Sequence, residues 1–183
     1  MTVSRIVSAL SDDFVRGLSA PPVAQALGSL LGLAAEIEAA GDDRPRLTAA
    51  ARKLRAQAKE ATVRSKTASR FGELALSAAT KTVLHGESGR LGRRFVVRYV
   101  TDVFGYLVSR DIGRYMGRGR FRGLSEVPLF VGDVESHVQA TLDRAELADP
   151  PDVAAPAELE GYLQDAIAAC LALLSREEEA GAD

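Results

Sequence analysis

With a single cysteine, Cys170, the chain cannot close an internal disulfide, so packing and hydrogen bonding must hold its fold. That suits a reducing compartment. Cys170 falls on the apolar stripe of a helical segment, which makes it a core residue by pattern. Histidine is nearly as scarce. His85 and His137 stand far apart, with no HxxxH, HExxH or cysteine companion, and this argues against a zinc site. His85 directly precedes Gly86 at an expected helix end, where an imidazole suits the C-terminal dipole. Tryptophan is absent and lysine is rare, four residues against 19 arginines. An arginine-rich, alanine-rich composition is what a GC-rich genome yields; it also supplies forked donors for phosphate or carboxylate.

Long apolar runs are missing too. The longest, Phe95 to Val108, contains Arg98 and Asp102, whereas a membrane span needs roughly 20 residues without such charges. The first residues, Met1 to Val7, lack the charged and apolar regions of a signal peptide. The expectation is a cytoplasmic protein without a membrane span. Catalytic motifs are likewise wanting. Gly86 to Arg93 has spaced glycines but neither the Lys-Ser/Thr of a phosphate loop nor a strand before it, so it reads as a turn between helices. No GxSxG marks a nucleophile. Asp12–Asp13 and Asp42–Asp43 are adjacent carboxylates that helix starts and stops explain. No catalytic residue, cofactor or metal is assigned.

What is present has helical periodicity. Val3, Ile6, Val7, Leu10, Phe14 and Leu18 recur at three and four, with Ser11 able to cap a fresh start inside the run. Pro21–Pro22 suits the first turn of a helix over about 22–40, stopped by Gly41. A segment from Pro45 to Leu84 carries the small-residue stripe Leu47, Ala51, Leu54, Ala58, Ala61, Ser65, Ala68, Gly72, Ala75, Ala79 and should break near Ser69 to Gly72. Over about 90–116 the polar residues Arg94, Arg98, Thr101, Asp102, Gly105 and Ser109 recur at helical spacing among valines and aromatics, which predicts the central apolar helix. Val96, Val100, Val103 and Leu107, opposite that polar set, are the expected buried face. Residues 113–123 hold too many glycines to continue a helix and read as a basic Gly/Arg loop. An extended piece through Val127 to Val131 follows, then a helix of about 134–146 capped by Asp133, and a last helix of about 156–176. The fold class is all-α: a bundle of about five to seven helices around the central one, in a single helical domain.

Charge is divided sharply along this domain. Residues 44–122 carry 19 basic against 5 acidic side chains, and the rest of the chain 4 against 20. Acidic N-terminal helices (1–43) and acidic C-terminal helices (123–176, before a frayed tail at 177–183) thus flank a basic middle. The ends can neutralise the middle internally, in which case surface pairs contribute roughly 0–1 kcal/mol each. Part of the middle can instead face an anionic partner. Arg90, Arg94 and Arg98 form one ridge on a helix, with Asp102 one turn on and able to pair with Arg98. Arg118, Arg120 and Arg122 alternate along the loop beside Phe121 and Tyr115, an arrangement that can meet phosphates and stack on bases. The resulting expectation is a non-enzymatic interaction protein, an adaptor or accessory subunit assembling with a protein partner or itself through helical faces. The alternative is a weakly sequence-selective nucleic-acid-binding module that uses those six arginines.

Overall fold

A computed structural model describes residues 3–65, 69–86, 89–111, 126–151 and 155–176. Among the described residues every regular element is a helix and none is a strand: α1 (Val3–Ser8), α2 (Asp12–Leu18), α3 (Pro21–Leu31), α4 (Ala34–Ala40), α5 (Arg44–Ser65), α6 (Arg70–Leu84), α7 (Leu91–Asp111), α8 (Val127–Leu142) and α9 (Pro156–Arg176). These described segments outnumber the expected five to seven because local stop signals cut the first 40 residues into short pieces. Ser11 does cap a fresh helix, its hydroxyl accepting from the Phe14 amide at 3.2 Å. Pro21 and Pro22 occupy the first turn of α3, where no intrahelical donor is lost. The expected 22–40 helix is interrupted at Gly32 and Leu33, and Gly41, at φ +51°, ends α4. The turn at Gly86 (φ +71°) closes α6 against the α4–α5 turn. A Cβ there would lie 2.6 Å from the Gly41 carbonyl oxygen, so only glycine fits.

α7 is the spine. It packs most extensively against α6 and α8, while α3 bridges α6 and α9, α5 lies on α6, and α1 rests on α9. One apolar cluster runs through all these contacts. Val96, Val100, Val103 and Leu107 are buried as the spacing predicted. Phe95 and Tyr99 stack beside them with centroids 5.8 Å apart, and the buried Tyr99 hydroxyl donates to the Leu18 carbonyl at 3.0 Å, pinning α7 to the end of α2. Burial raises the Tyr99 pKa, so this hydroxyl stays a donor. Leu47, Ala51, Leu54, Ala75 and Ala79 of the small-residue stripe are buried, and the break between α5 and α6 falls just before Arg70. In α9, Cys170 is fully buried among Leu163, Ile167 and Leu174, and burial pushes its thiol up to about 12.

Three expectations at α8 are corrected. Residues 127–131 are not extended, and Asp133 is no cap: the helix begins at Val127, and Asp133 sits exposed within it. Pro128 is tolerated because it falls in the first turn. Val127, Phe130 and Val131 favour strands intrinsically, yet Phe130 and Val131 pack on the core and tertiary contact decides. The helix also ends at Leu142 rather than 146. Among the described residues no single helix is long and apolar enough to cross a membrane. The run Asp12–Leu31 with Ala34–Ala40, bent by 45°, meets the requirement only as a pair, and its Val23, Leu27, Leu30 and Ile37 lie in this core. The Gly/Arg loop at 113–123 and the tail at 177–183 lie outside the described residues.

Candidate anion-binding cleft

The polar stripe of α7 does not face open solvent along its whole length, because α8 lies over part of it. Thr101 and Gly105 are buried, and the Asp102 side chain is only 13% exposed. Between the N-terminal end of α7 and the C-terminal end of α8 lies a cleft of about 600 Å³. Arg90, Arg93, Arg94, Val97 and Arg98 line one side with Gly89, and Gln139 and Asp143 line the other. Three of the six arginines expected at a site, Arg90, Arg94 and Arg98, are thus brought together. Arg118, Arg120 and Arg122 lie outside the described residues.

Arg93 completes the set. A ridge read strictly at every fourth residue passes over it, whereas the full helical stripe of i, i+3, i+4, i+7 and i+8 from Arg90 includes it together with Val97. Its guanidinium donates to the Asp143 main-chain oxygen, tying α7 to the end of α8. Gln139 supports the same corner: its Nε2 donates to Asp143 Oδ1 at 2.9 Å, and its Oε1 lies 3.4 Å from the Thr101 hydroxyl. Arg90 precedes α7 with φ +56°, a left-handed backbone that costs a non-glycine residue roughly 1–2 kcal/mol. The helix then begins with the Arg94 amide donating to the Arg90 carbonyl at 3.1 Å. The amides before Arg94 have no partner within the helix, and the positive end of the α7 dipole adds to the arginine charge.

A smaller cleft of about 340 Å³ adjoins the first, sharing Arg98 and Gln139 and continuing over Lys81, His85, Asp102 and Glu135. Asp102 Oδ1 has a partner that was not expected beside Arg98: it meets Lys81 Nζ of α6 at 2.6 Å. Lys81 reaches it because α6 runs alongside α7, a proximity that spacing within α7 cannot reveal. Asp102 Oδ2 is buried without a hydrogen-bond partner among the described residues. The Glu135 carboxyl lies over Gly105, where a Cβ would fall 2.0 Å from its Oε1. Desolvation there, reinforced by the Asp102 charge and opposed by Lys81, raises the Glu135 pKa. His85 stands where expected, at the C-cap of α6.

The charge division is met partly by internal pairing. Lys53 bonds Glu36 across α5 and α4, and Arg46 pairs with Asp43 at 3.3 Å. Other pairs, Arg70–Glu73 and Lys81–Asp102, stay within the basic middle. On a different side, α3 and α9 bound a groove of about 630 Å³ lined by Ala24, Gly28, Gly32 and Leu159, with Lys53 and Glu160 at its margin. Among the described residues no group of three His, Cys, Asp or Glu side chains could hold a metal ion. No known protein-family model, curated protein or solved structure matches this chain.

Proposed function

We propose that this protein is a non-enzymatic binding module whose arginine cleft meets the phosphates of a nucleic-acid strand with little sequence selectivity. One observation carries the reading: Arg90, Arg93, Arg94 and Arg98 line a single cleft, at a helix N-terminus that itself favours negative charge. Guanidinium groups match phosphate oxygens two at a time and stay charged at any physiological pH. A concave site of this size admits a single strand more readily than a duplex. The loop arginines Arg118, Arg120 and Arg122, outside the described residues, are a second expected set of phosphate contacts.

Binding of a labelled ten-nucleotide single strand, followed by fluorescence anisotropy at two salt concentrations, tests the reading. Affinity should fall steeply with salt, by a logarithmic slope of about 0.7 per phosphate neutralised. Replacing Arg94 and Arg98 by alanine should flatten that slope while the circular dichroism and melting temperature stay near wild type. No binding at low salt would remove the proposal. Assembly with a protein partner through helical faces is the second reading, and the α3–α9 groove, lined by Ala24, Gly32 and Leu159, favours it. Substituting Arg94 and Arg98 would leave an assembly through the α3–α9 groove intact.

A further inference from the structure

Along α5 the basic charge is answered by acids only in part. From Arg44 to Glu60 this helix carries six cations and a single acid, Glu60. Arg46 and Lys53 have acidic partners, Asp43 and Glu36. Arg44 donates instead to the Leu84 carbonyl at 3.2 Å, and Arg55 Nε lies 3.5 Å from the Thr80 hydroxyl, groups that bring no net charge. Among the described residues no acid pairs with Arg44, Arg52, Arg55 or Lys59. At about 100° per residue these four fall within about 80° of arc and along about 22 Å of axis, with Glu60 outside the arc. All four are exposed. Like charges three and four residues apart, as at Arg52, Arg55 and Lys59, oppose a helix, so the row does not serve the stability of α5 itself.

The residues beside the row decide what kind of anion it meets. Pro45, Thr48, Ala49 and Ala56 are exposed on the same side, and none is aromatic or a large apolar side chain. A protein partner would find no anchor here, since protein interfaces centre on aromatic and apolar groups and are depleted in lysine. An anionic membrane would find no apolar face to take into its surface. An unpaired strand would find nothing on which to stack its bases. A duplex needs none of these, because its bases are already stacked and its phosphates dominate the contact. Access is open as well: from Arg55 to Glu60 every residue is exposed except Ala58, which is half-buried.

We infer that this face of α5 binds the phosphate backbone of a nucleic-acid duplex, through Arg44, Arg52, Arg55 and Lys59. The face shares no residue with the α7 cleft and does not depend on the strand reading made there. A labelled, blunt-ended duplex of twenty base pairs is titrated with the full chain by fluorescence anisotropy at two salt concentrations. Three proteins are compared: wild type, Arg52→Ala with Lys59→Ala, and Arg94→Ala with Arg98→Ala. The logarithmic salt slope on a duplex is about 0.9 per phosphate neutralised, so the α5 pair should lower it by about 1.8. Affinity at about 50 mM salt should fall about tenfold or more. The cleft pair should leave duplex affinity near wild type.

Because Arg52 and Lys59 are exposed and alanine favours a helix, the melting temperature should hold. Arg52→Gln with Lys59→Gln removes the same charges while keeping long side chains, and should give the same loss; it decides the matter if the alanine pair misfolds. No duplex binding at low salt, or an unchanged slope in a folded α5 variant, would overturn the proposal and leave the strand reading of the cleft to its own test. Duplex binding lost only with the cleft pair would move the contact to α7 and overturn the assignment to α5. Polyglutamate or phosphatidylserine vesicles that displace the duplex equally well, charge for charge, would make the face a general anion surface and overturn its assignment to nucleic acid.

Discussion

The two faces of α7 differ in what they do with the same helix. On one, Val96, Val100, Val103 and Leu107 are buried against the rest of the core, and apolar contact is all they supply. On the other, which also carries Arg94 and Arg98, Thr101 and Gly105 meet α8 through a glutamine bridging Thr101 and Asp143 and a carboxyl seated on a glycine, and Asp102 makes an ion pair to Lys81 of α6. The apolar face gains free energy in proportion to area and tolerates no charge. The polar face gains little net from its hydrogen bonds and ion pairs, since each replaces contacts with water. Stability should therefore reside on one side of the helix and ligand chemistry on the other.

The sharpest way to break that division is Val103→Asp. Val103 is 2% exposed, and a carboxylate there has neither partner nor water. The variant should lose about 3–5 kcal/mol, read as a large fall in denaturant midpoint, and should bind strands only to the extent that it folds. Unfolding at the wild-type midpoint would show that the valine face is peripheral and that the contrast between the two sides is false.

How far this contrast could be seen in advance follows from the range over which each signal acts. The valine face was legible because its period is local, and so were the bounds of α9, with Pro156 opening it and its stripe Leu159, Leu163, Ile167, Cys170 and Leu174 unbroken. The start of α8 was not: Val127, Leu129, Phe130 and Val131 look like a strand until the core against which Phe130 and Val131 pack is in place. Half of the cleft was legible as the Arg90, Arg94, Arg98 ridge. Its other half, Gln139 and Asp143, lies some forty residues further on and is brought in only when α8 docks. Lys81 was missed as a partner of Asp102 for the same reason. Gly105 did carry a readable signal, a side-chain-free position inside a polar stripe, but what fills that space, Glu135, is fixed by the crossing of two helices.

Gly105→Ala probes the polar face with a smaller effect. In a helix interior alanine is favoured over glycine by about 1 kcal/mol. Against that, the new Cβ would stand 2.0 Å from Glu135 Oε1, the far end of a flexible side chain that can swing outward. The two terms nearly cancel, so stability should stay within about 1 kcal/mol of wild type. The Glu135 pKa should meanwhile fall toward the ordinary glutamate value as its carboxyl regains water, which a side-chain NMR titration would follow. A loss of more than about 2 kcal/mol would mean that α8 cannot yield, and that the polar face is packed as tightly as the valine face.

The smallest effect belongs to Glu135→Gln, and its dependence on pH is what gives it meaning. Desolvation over Gly105, with the Asp102 charge nearby, raises the folded-state pKa of Glu135 above its unfolded value of about 4.3. Between those two values the folded chain holds a proton that the unfolded chain has released, so stability falls as pH rises through this window. Below about pH 4 both states are protonated and the group contributes no pH-dependent difference. Above the folded value both are ionised, and the whole penalty of holding a second carboxylate near Asp102 is present. Glutamine keeps the shape and removes the charge. The variant should melt close to wild type at pH 4 and somewhat above it at pH 7.5, with a modest gain because Glu135 is only partly buried and Lys81 offsets some of the repulsion. A variant that melts lower at pH 7.5 would show instead that the Glu135 carboxylate holds α8 to α7 through its charge, and the polar face would then be a source of stability after all.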